Sequence, residues 1–338
     1  MKIIITGGCG FIGINLIKNL LKNRKYQILN IDNLEKSSMP EWLKEYKEKK
    51  RYSFVKLDIS NKEKVKKTLI NFSPDLIFHL AAESHVDNSI KNPKKFVKTN
   101  ILGTFNLLEA SRLLLKKIPK KINRFRFIHI STDEVYGSLS YSQSSSNEKK
   151  QYEPNSPYSA SKASSDHLVR AWNRTFGVPV ITTHCCNNYG PYQYPEKLIP
   201  VIISKTLNNK NIPIYGNGKN IREWLYVEDH VQALLTISKK GKIGETYNIG
   251  SNKEITNIEL TKLICKILDK LIPNNKPHSK LIKFVKDRKG HDIRYSLNSK
   301  KLENELNYKT KIKFKEGLIK TIKWYVNNKD WLLKKNKI

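Results

Sequence analysis

Two acidic side chains stand next to each other directly after an apolar run of the chain. Residues 125–130 predict a buried strand, and Ser131 and Thr132 lead from it into Asp133 and Glu134. Burying a carboxylate costs free energy unless the group is paired or serves a function. In parallel α/β sheets, ligands bind beyond the carboxyl ends of the strands. Neighbouring carboxyls in different surroundings can take different pKa values, so that one acts as an acid and the other as a base. The alternative interpretation is an ordinary acidic turn, which would be preferred if the pair stood alone.

A tyrosine and a lysine four residues apart form a second candidate pair. Tyr158 and Lys162 share one face of the helix that Ser156 and Pro157 are predicted to begin. A lysine ammonium beside a phenol favours the phenolate and lowers its pKa, which would let Tyr158 act as a base. Such a pair is common by chance, and it gains meaning only downstream of a dinucleotide site and a strand end that carries polar groups.

A glycine-rich turn near Met1 predicts such a dinucleotide site. Residues 2–6 form an apolar strand, and a helical apolar pattern follows the turn, which is the context that the site requires. Gly7 permits the tight turn, Gly10 lets the backbone approach a pyrophosphate, and Gly13 lets the helix pack closely on the sheet. The helix N-terminus would bind the phosphates. Asp32, at the end of the second strand, suits the ribose hydroxyls of NAD, although a surface aspartate in a turn is the alternative.

The alternation of strands and helices predicts the α/β class, with a doubly wound parallel sheet of the Rossmann type. The alternation is regular as far as residue 186 and then stops. We therefore expect an NAD-binding Rossmann domain over 1–186 and a smaller C-terminal α/β domain over 187–338 that mainly binds the substrate. Segments near 220–245 are expected to return to the first domain.

The charge of the chain invites a nucleic-acid hypothesis that its distribution does not support. Lys and Arg number 63 against 30 Asp and Glu, which gives a formal net charge of +33. The cations are spread over nearly every predicted helix and loop, and no nucleic-acid-binding motif is visible. We expect them to solvate the surface and to steer an anionic substrate.

The remaining composition predicts a cytoplasmic protein without a metal. No apolar run is long enough to span a bilayer, and Met1 leads straight into a strand, so neither a membrane segment nor a secretory signal is expected. The four cysteines lack disulfide-framework spacing, which fits a reducing compartment. The run His184-Cys185-Cys186 resembles a ligand set, but three adjacent residues cannot easily converge on one ion.

Together these motifs resemble the extended short-chain dehydrogenase/reductases that act on nucleotide sugars, and the resemblance runs from the glycine turn to Asp292. Within that family, the acidic pair after Thr132 is similar to the 4,6-dehydratases, whereas many 4-epimerases share the tyrosine and lysine but lack the pair. The resemblance implies NAD as cofactor, dTDP-glucose as substrate and a 4-keto-6-deoxy sugar as product. It also implies a homodimer formed through the helices at 93–117 and 156–175, with neither nucleic acid nor membrane as a partner.

Three alternatives stay open at this stage. The chain could act as a dehydratase on UDP-glucose, or as another nucleotide-sugar epimerase or dehydratase on the same scaffold. It could also be an NAD-sensing or nucleic-acid-binding regulator that keeps the fold without the chemistry. The only support for a regulator is the positive charge, and the presence of Tyr158, Lys162, Asp133 and Glu134 argues against it.

The resemblance assigns a role to each catalytic candidate. Tyr158 takes the proton of the sugar 4-hydroxyl while hydride passes from C4 to NAD⁺, and Lys162 holds the nicotinamide ribose. Thr132 hydrogen-bonds the 4-oxygen. Glu134 removes the C5 proton, Asp133 protonates the departing 6-hydroxyl, and the hydride returns to C6. The two carboxyls must therefore begin the reaction in opposite protonation states.

The resemblance also implies two sets of contacts. The cofactor set comprises Gly7, Gly10, Phe11, Ile12, Gly13, Asp32, Asp58, Ile59, Leu80, Ala81, Ala82, Thr99, Tyr158, Lys162 and Asn188. The sugar-nucleotide set comprises Ser84, Thr132, Asn187, Lys197, Leu198, Pro213, Tyr215, Arg222, Asn257, Arg288 and His291. Lys197, Arg222 and Arg288 carry charges that suit a diphosphate. The chain departs from the family pattern at residues 33–35 and at Lys289, which replaces the usual proline and should loosen its loop.

Overall fold

The computed structural model describes residues 1–46, 48–288 and 290–335. Its strands are β1 (Lys2–Thr6), β2 (Gln27–Asp32), β3 (Tyr52–Lys56), β4 (Leu76–His79), β5 (Arg126–Thr132), β6 (Val180–Cys185), β7 (Asn187–Tyr189), β8 (Ile212–Tyr215), β9 (Ile221–Tyr226), β10 (Thr246–Ile249), β11 (Glu254–Thr256) and β12 (Ile282–Val285). Its helices are α1 (Phe11–Leu20), α2 (Lys62–Phe72), α3 (Val86–Lys91), α4 (Pro93–Phe96), α5 (Gly103–Lys117), α6 (Pro157–Phe176), α7 (Leu198–Leu207), α8 (Val227–Lys240), α9 (Asn257–Leu271), α10 (Lys300–Leu306), α11 (Phe314–Asn327) and α12 (Lys329–Lys335).

The central sheet has seven strands in the order β10-β6-β5-β4-β1-β2-β3. Every neighbouring pair in it is parallel. The order reverses between β1 and β4, which is the switch point at which doubly wound sheets bind ligands. The predicted Rossmann-type α/β fold is therefore confirmed.

Both faces of this sheet are covered, which explains why its strands are apolar throughout rather than alternating. Along β1, Ile3 and Ile5 point into one hydrophobic cluster and Ile4 into another. The first cluster lies under α1 and α8, and the second lies under α2 and α5. Successive side chains of a strand point to opposite faces, so a run of isoleucines fills both layers.

The chain after β6 builds a second group of elements with its own core. Strands β11, β9 and β7 form one small sheet, and β12 pairs with β8 in another. Buried side chains of α7, α9 and α11, such as Ile202, Ile264 and Leu318, pack against these strands. The chain also returns to the central sheet, because β10 pairs with β6 in a register that sets Thr246 opposite Thr182. The division at residue 186 stays a prediction.

None of the helices within the described residues is long and apolar enough to cross a membrane.

Candidate active site

A cavity of about 700 Å³ opens at the carboxyl ends of the central strands and extends to the second group of elements. Its wall contains residues that follow β1, β2, β4, β5 and β6, as the switch-point rule requires. All residues of the two predicted contact sets line it, with the exception of Asp58. Asp58 lies outside the cavity wall, where its carboxylate accepts from the Ser60 backbone N–H and pairs with Lys98 at 3.4 Å.

The glycine turn leaves a cradle that only glycines can form. Gly7 has a φ of +71°, and a Cβ there would lie 2.7 Å from the backbone nitrogen of Ala81. A Cβ on Gly13 would lie 2.4 Å from the Gly7 carbonyl oxygen. Helix α1 begins after Gly10 without a side-chain cap, and its first turn contains no acidic residue. Its N–H groups therefore suit the phosphates of a dinucleotide.

Asp32 is buried at the end of β2 and holds the loops around this cradle. One of its carboxylate oxygens accepts from the Cys9 backbone N–H at 3.0 Å. The other accepts from the Leu34 N–H at 2.8 Å and from the Ser38 hydroxyl at 2.7 Å. The residues of this end of the cavity fit the adenosine and pyrophosphate of NAD, as the sequence predicts. The contact of Ser38 with Asp32 had no signal in the sequence.

The acidic pair begins a short 3₁₀ turn, Asp133–Tyr136, at the end of β5. Thr132 caps this turn, since its hydroxyl accepts from the Glu134 N–H at 3.3 Å and donates to Asp133 Oδ1 at 3.2 Å. Burial raises the pKa of Asp133 well above its usual value, and the negative charges of Glu134 and Glu223 add to this. Asp133 Oδ2 has no hydrogen-bond partner among the described residues. Asp133 is therefore suited to hold a proton that it can donate.

Glu134 experiences a different field from its neighbour. Burial raises its pKa, but the positive charges of Arg222, Lys197 and Arg288 oppose that rise. The negative charge of Asp292 adds to the rise, but three cations oppose it at Glu134, whereas Arg222 is the cation that opposes the rise at Asp133. The two neighbouring carboxyls therefore lie in different electrostatic surroundings, and their roles as acid and base stay a prediction.

Tyr158 and Lys162 project from the first turns of α6, which a capping box begins. The Ser156 hydroxyl accepts from the Ser159 N–H, and the Ser159 hydroxyl accepts from the Ser156 N–H, each at 3.0 Å. Lys162 Nζ donates to the Ile130 carbonyl oxygen at 2.8 Å, so the lysine ties α6 to β5.

The expected lowering of the pKa of Tyr158 is not found. Burial raises the pKa of this phenol well above its ordinary value, the charge of Glu134 raises it further, and a hydrogen bond with Thr132 opposes the rise. The lysine does not offset this, because burial lowers the pKa of Lys162 and its ammonium group points to a backbone carbonyl. Desolvation of the phenol is the stronger effect in this site.

The three predicted diphosphate cations line the cavity near Glu134, and protein groups contact each of them. Arg288 forms a two-point ion pair with Asp87, with nitrogen–oxygen distances of 3.1 and 3.2 Å, and stacks 4.9 Å from the Tyr215 ring. Lys197 Nζ donates to the Ser84 carbonyl at 2.8 Å.

Arg222 donates to the Asp292 carbonyl at 3.0 Å and lies 4.6 Å from the ring of Tyr295. Tyr295 also lines the cavity, and sequence patterns gave no sign of either Tyr295 or Asp87. Lys289 lies outside the described residues.

Two further expectations concern histidines and metals. His85, whose role the sequence left open, lines the cavity, and its Nδ1 has no hydrogen-bond partner among the described residues. The described residues contain no group of three or more side chains able to hold a metal ion. His184 contacts Asp166 and Tyr136, whereas Cys185 and Cys186 face the cavity.

The fold and the cavity together define a class of protein, the short-chain dehydrogenase/reductases, and in this chain the same cavity also contains Asp133 and Glu134 beside the tyrosine and lysine. The chain belongs to the family described as GDP-mannose 4,6 dehydratase, whose sequence model matches residues 4–321.

Individual proteins of this family are similar to the chain over nearly its whole length. The dTDP-glucose 4,6-dehydratase of Neisseria meningitidis serogroup B is 48% identical over 336 residues, which cover 98% of this chain and 94% of that protein. The enzyme of the same name from Haemophilus influenzae is 49% identical over 333 residues, covering 97% and 98%. The crystal structure of DesIV, a dTDP-glucose 4,6-dehydratase from Streptomyces venezuelae with NAD and TYD bound, covers 98% of each chain at 40% identity and a TM-score of 0.89.

Proposed function

We propose that this chain is a dTDP-glucose 4,6-dehydratase that converts dTDP-glucose to dTDP-4-keto-6-deoxyglucose and water. The observation that carries this proposal is that one cavity contains a phenol, a proton-bearing carboxyl and a cation-surrounded carboxyl beside a dinucleotide cradle. These are the groups that oxidation at C4 and elimination between C5 and C6 require. The relatives of that name, at 48–49% identity over nearly the full chain, support the same activity.

NAD is the cofactor that this site fits, and when bound it supplies an acceptor for hydride from C4 and a donor of hydride to C6. The glycine cradle and Asp32 would hold its adenosine and pyrophosphate, and Lys162 would hold its nicotinamide ribose. We propose the cofactor contact set given above, which the lining of the cavity supports for every member except Asp58.

The first proton transfer falls to Tyr158, which takes the proton of the sugar 4-hydroxyl while Thr132 hydrogen-bonds the same oxygen. In the site without a cofactor, the hydrogen bond with Thr132 opposes the effect of burial on the pKa of Tyr158, and bound NAD⁺ would add a positive charge nearby. The ketone formed at C4 then acidifies the proton on C5.

The elimination falls to the two carboxyls. Glu134 removes the C5 proton because nearby cations favour its ionised form, and Asp133 protonates the departing 6-hydroxyl because burial keeps it protonated. Water leaves with the proton of Asp133. The proton held by Glu134 then returns to C5 when C6 receives hydride, and the proton held by Tyr158 restores Asp133. The reaction is redox-neutral overall.

We propose that the sugar nucleotide lies in this cavity, with its diphosphate near Lys197, Arg222 and Arg288. The predicted sugar-nucleotide contacts all line this cavity. We also propose that residues 1–186 form the NAD-binding part and that 187–338 mainly form the nucleotide-sugar part. The return of β10 to the central sheet supports the expectation that the later chain contributes to the first part.

We propose that two copies of the chain pair through the helices at 93–117 and 156–175. Apolar side chains on or next to these helices are exposed, namely Ile90 (45%), Val97 (53%), Leu102 (44%) and Phe176 (47%). Light scattering of the purified protein should give the mass of a dimer, and Val97→Asp should shift it toward that of a monomer. A monomeric wild type at micromolar concentration would contradict this proposal.

A cytoplasmic location also remains our proposal, supported by four buried cysteines that form no disulfide within the described residues.

The decisive experiment is incubation of the purified chain with dTDP-glucose and mass spectrometry for the loss of one water, with UDP-glucose in parallel. We expect water loss and the alkaline absorption of a keto sugar from dTDP-glucose in preference to UDP-glucose. An unchanged mass with both sugars would refute the dehydratase, and salt-sensitive DNA binding in its place would favour a regulator.

A further inference from the structure

A network of buried polar side chains lies directly behind the acidic turn and takes no part in the chemistry described above. Its centre is Asp166, on α6 one turn beyond Lys162 and only 4% exposed. Asp166 Oδ1 accepts from His129 Nε2 at 2.9 Å, and Oδ2 accepts from the Ser131 hydroxyl at 2.9 Å and from His184 Nε2 at 3.0 Å. One carboxylate therefore joins α6 to β5 and β6.

Three donors converge on this carboxylate, which fixes its charge. Burial alone would raise its pKa, but the hydrogen bonds from His129 and His184 hold the pKa of Asp166 well below its usual value. Because a carboxylate can only accept, the Nε2 atom of each histidine, which faces Asp166, must carry a hydrogen. Nδ1 of His129 has no partner among the described residues, and burial lowers the pKa of that ring to about 4, so His129 is neutral.

The other nitrogen of His184 can be assigned by following the network outward. His184 Nδ1 lies 2.8 Å from the Tyr136 hydroxyl, which is 3.0 Å from Asn248 Oδ1. The orientation of the Asn248 amide is not in doubt, since its nitrogen lies 2.9 Å from the Ser146 carbonyl, which can only accept. The single hydroxyl proton of Tyr136 must therefore go to Asn248, and His184 Nδ1 must donate to Tyr136. The hydrogen-bond geometry therefore favours a hydrogen on both nitrogens of His184.

We propose that Asp166, His184 and Tyr136 are positioning residues that hold the Asp133–Tyr136 turn in place, with His184 as a buried imidazolium paired to Asp166. The turn is fixed at both ends: Ser131 precedes it and bonds Asp166, and Tyr136 closes it and bonds His184. The same carboxylate anchors α6, which carries Tyr158 and Lys162. The network thus sets the distance between the base of the oxidation step and the two carboxyls of the elimination step.

Other titratable groups lie close to Asp166, His184 or Tyr136, or close to Lys162 beside them. They are His129 on β5, Lys162 on α6, Cys185 on β6, and Glu148, Tyr152 and Asp133 in the segment between β5 and α6. Tyr152 adds a contact of 3.0 Å to His184 Nε2. Lys162 is the other nearby cation, and Asp166 stabilises its charged form. A buried ion pair adds little net stability as a rule, but removing one partner is strongly destabilising.

The charge of His184 can be tested without any substrate. Nitrogen-15 NMR of the purified protein at neutral pH should show both ring nitrogens of His184 protonated, with the signal assigned by its loss in His184→Asn. In Asp166→Asn the same ring should lose one hydrogen. A wild-type spectrum in which one nitrogen of His184 is bare would overturn the assignment.

The positioning role rests on the proposed function and is tested with a matched pair of hydroxyl deletions. Tyr136→Phe removes the link between the turn and His184, and Tyr308→Phe removes a buried tyrosine hydroxyl that donates to the Asp229 carbonyl away from the cavity. Displacing reacting groups by about 1 Å can slow a reaction by roughly 10²-fold. We expect kcat to fall by on the order of ten- to a hundredfold in Tyr136→Phe and to stay at the wild-type value in Tyr308→Phe.

The kinetic parameters that change in Tyr136→Phe distinguish a positioning role from general destabilisation of the fold. In Tyr136→Phe, KM for the sugar nucleotide and the bound NAD content should stay unchanged, and oxidation at C4 should persist while water loss slows. An equal effect of the two variants on kcat, or a rise in KM alone, would refute the positioning role. A wild type that turns over no sugar nucleotide would instead refute the proposed function and leave the NMR result standing.

Discussion

Replacing Asp133 by asparagine should stabilise the folded protein while it removes the proposed proton donor of the elimination. Asp133 is only 3% exposed, and burial beside Glu134 and Glu223 raises its pKa well above the ordinary value. In the unfolded chain, the same carboxyl titrates near its reference pKa of about 3.9. Folding therefore takes up a proton at every pH between these two values, and stability falls as the pH rises through that window.

The size of the effect follows from the slope of this linkage. One proton difference changes the free energy of unfolding by about 1.4 kcal/mol per pH unit. Asparagine has nearly the same shape as aspartate and does not ionise. The free energy of unfolding of the variant therefore does not fall with rising pH through this group. The difference in stability between Asp133→Asn and wild type should be small below the unfolded pKa, grow with that slope, and become constant above the native pKa. Urea unfolding at a series of pH values from 4 to 8 measures it.

Asp229 provides a matched control. It is also 3% exposed, but its carboxylate accepts from the backbone N–H groups of Lys311 and Ile312 at 3.0 and 2.9 Å. In Asp229→Asn, the side-chain amide nitrogen would face one of these backbone N–H groups, or both hydrogen bonds would weaken. This variant should therefore be less stable than wild type. The prediction is contradicted if the free energy of unfolding of Asp133→Asn, relative to wild type, does not change with pH. It is also contradicted if Asp133→Asn is less stable than wild type, as the control should be. Either result would show that Asp133 is ionised in the native protein.

Three further predictions concern the reaction itself. Glu134→Gln should block water loss but leave oxidation at C4, so reduced nicotinamide should accumulate during turnover of dTDP-glucose; normal water loss would contradict the assigned base. Tyr158→Phe should stop the reaction before any reduced nicotinamide appears, and near-normal product formation would count against it. Asp87→Asn should free Arg288 for the diphosphate and lower KM up to about fivefold at low salt, as a partly exposed ion pair allows; an increase in KM would show that Asp87 aids binding instead.

Features that depend on neighbouring residues could be predicted from the sequence. The glycine turn, the strand before it and the helix after it are adjacent in the chain, so their pattern indicates the dinucleotide cradle directly. The same holds for Tyr158 and Lys162, one helical turn apart, and for the acidic pair that follows a buried strand. Parallel strands place their carboxyl ends at one edge of the sheet, and the predicted contacts other than Asp58 therefore meet in one cavity.

Features that depend on distant residues could not be predicted in this way. Arg288 pairs with Asp87 across 201 positions of the chain, and the Tyr136 hydroxyl reaches Asn248 across 112. The pKa of Tyr158 also departed from expectation, because it depends on how much water the surrounding segments exclude rather than on the lysine four residues away. Spacing along a helix or strand fixes which side chains are neighbours, and the sequence alone determined the chemistry available to this protein. Burial and charge in the site come from segments brought together only by folding, so only the tertiary structure determines the different electrostatic surroundings of Asp133 and Glu134.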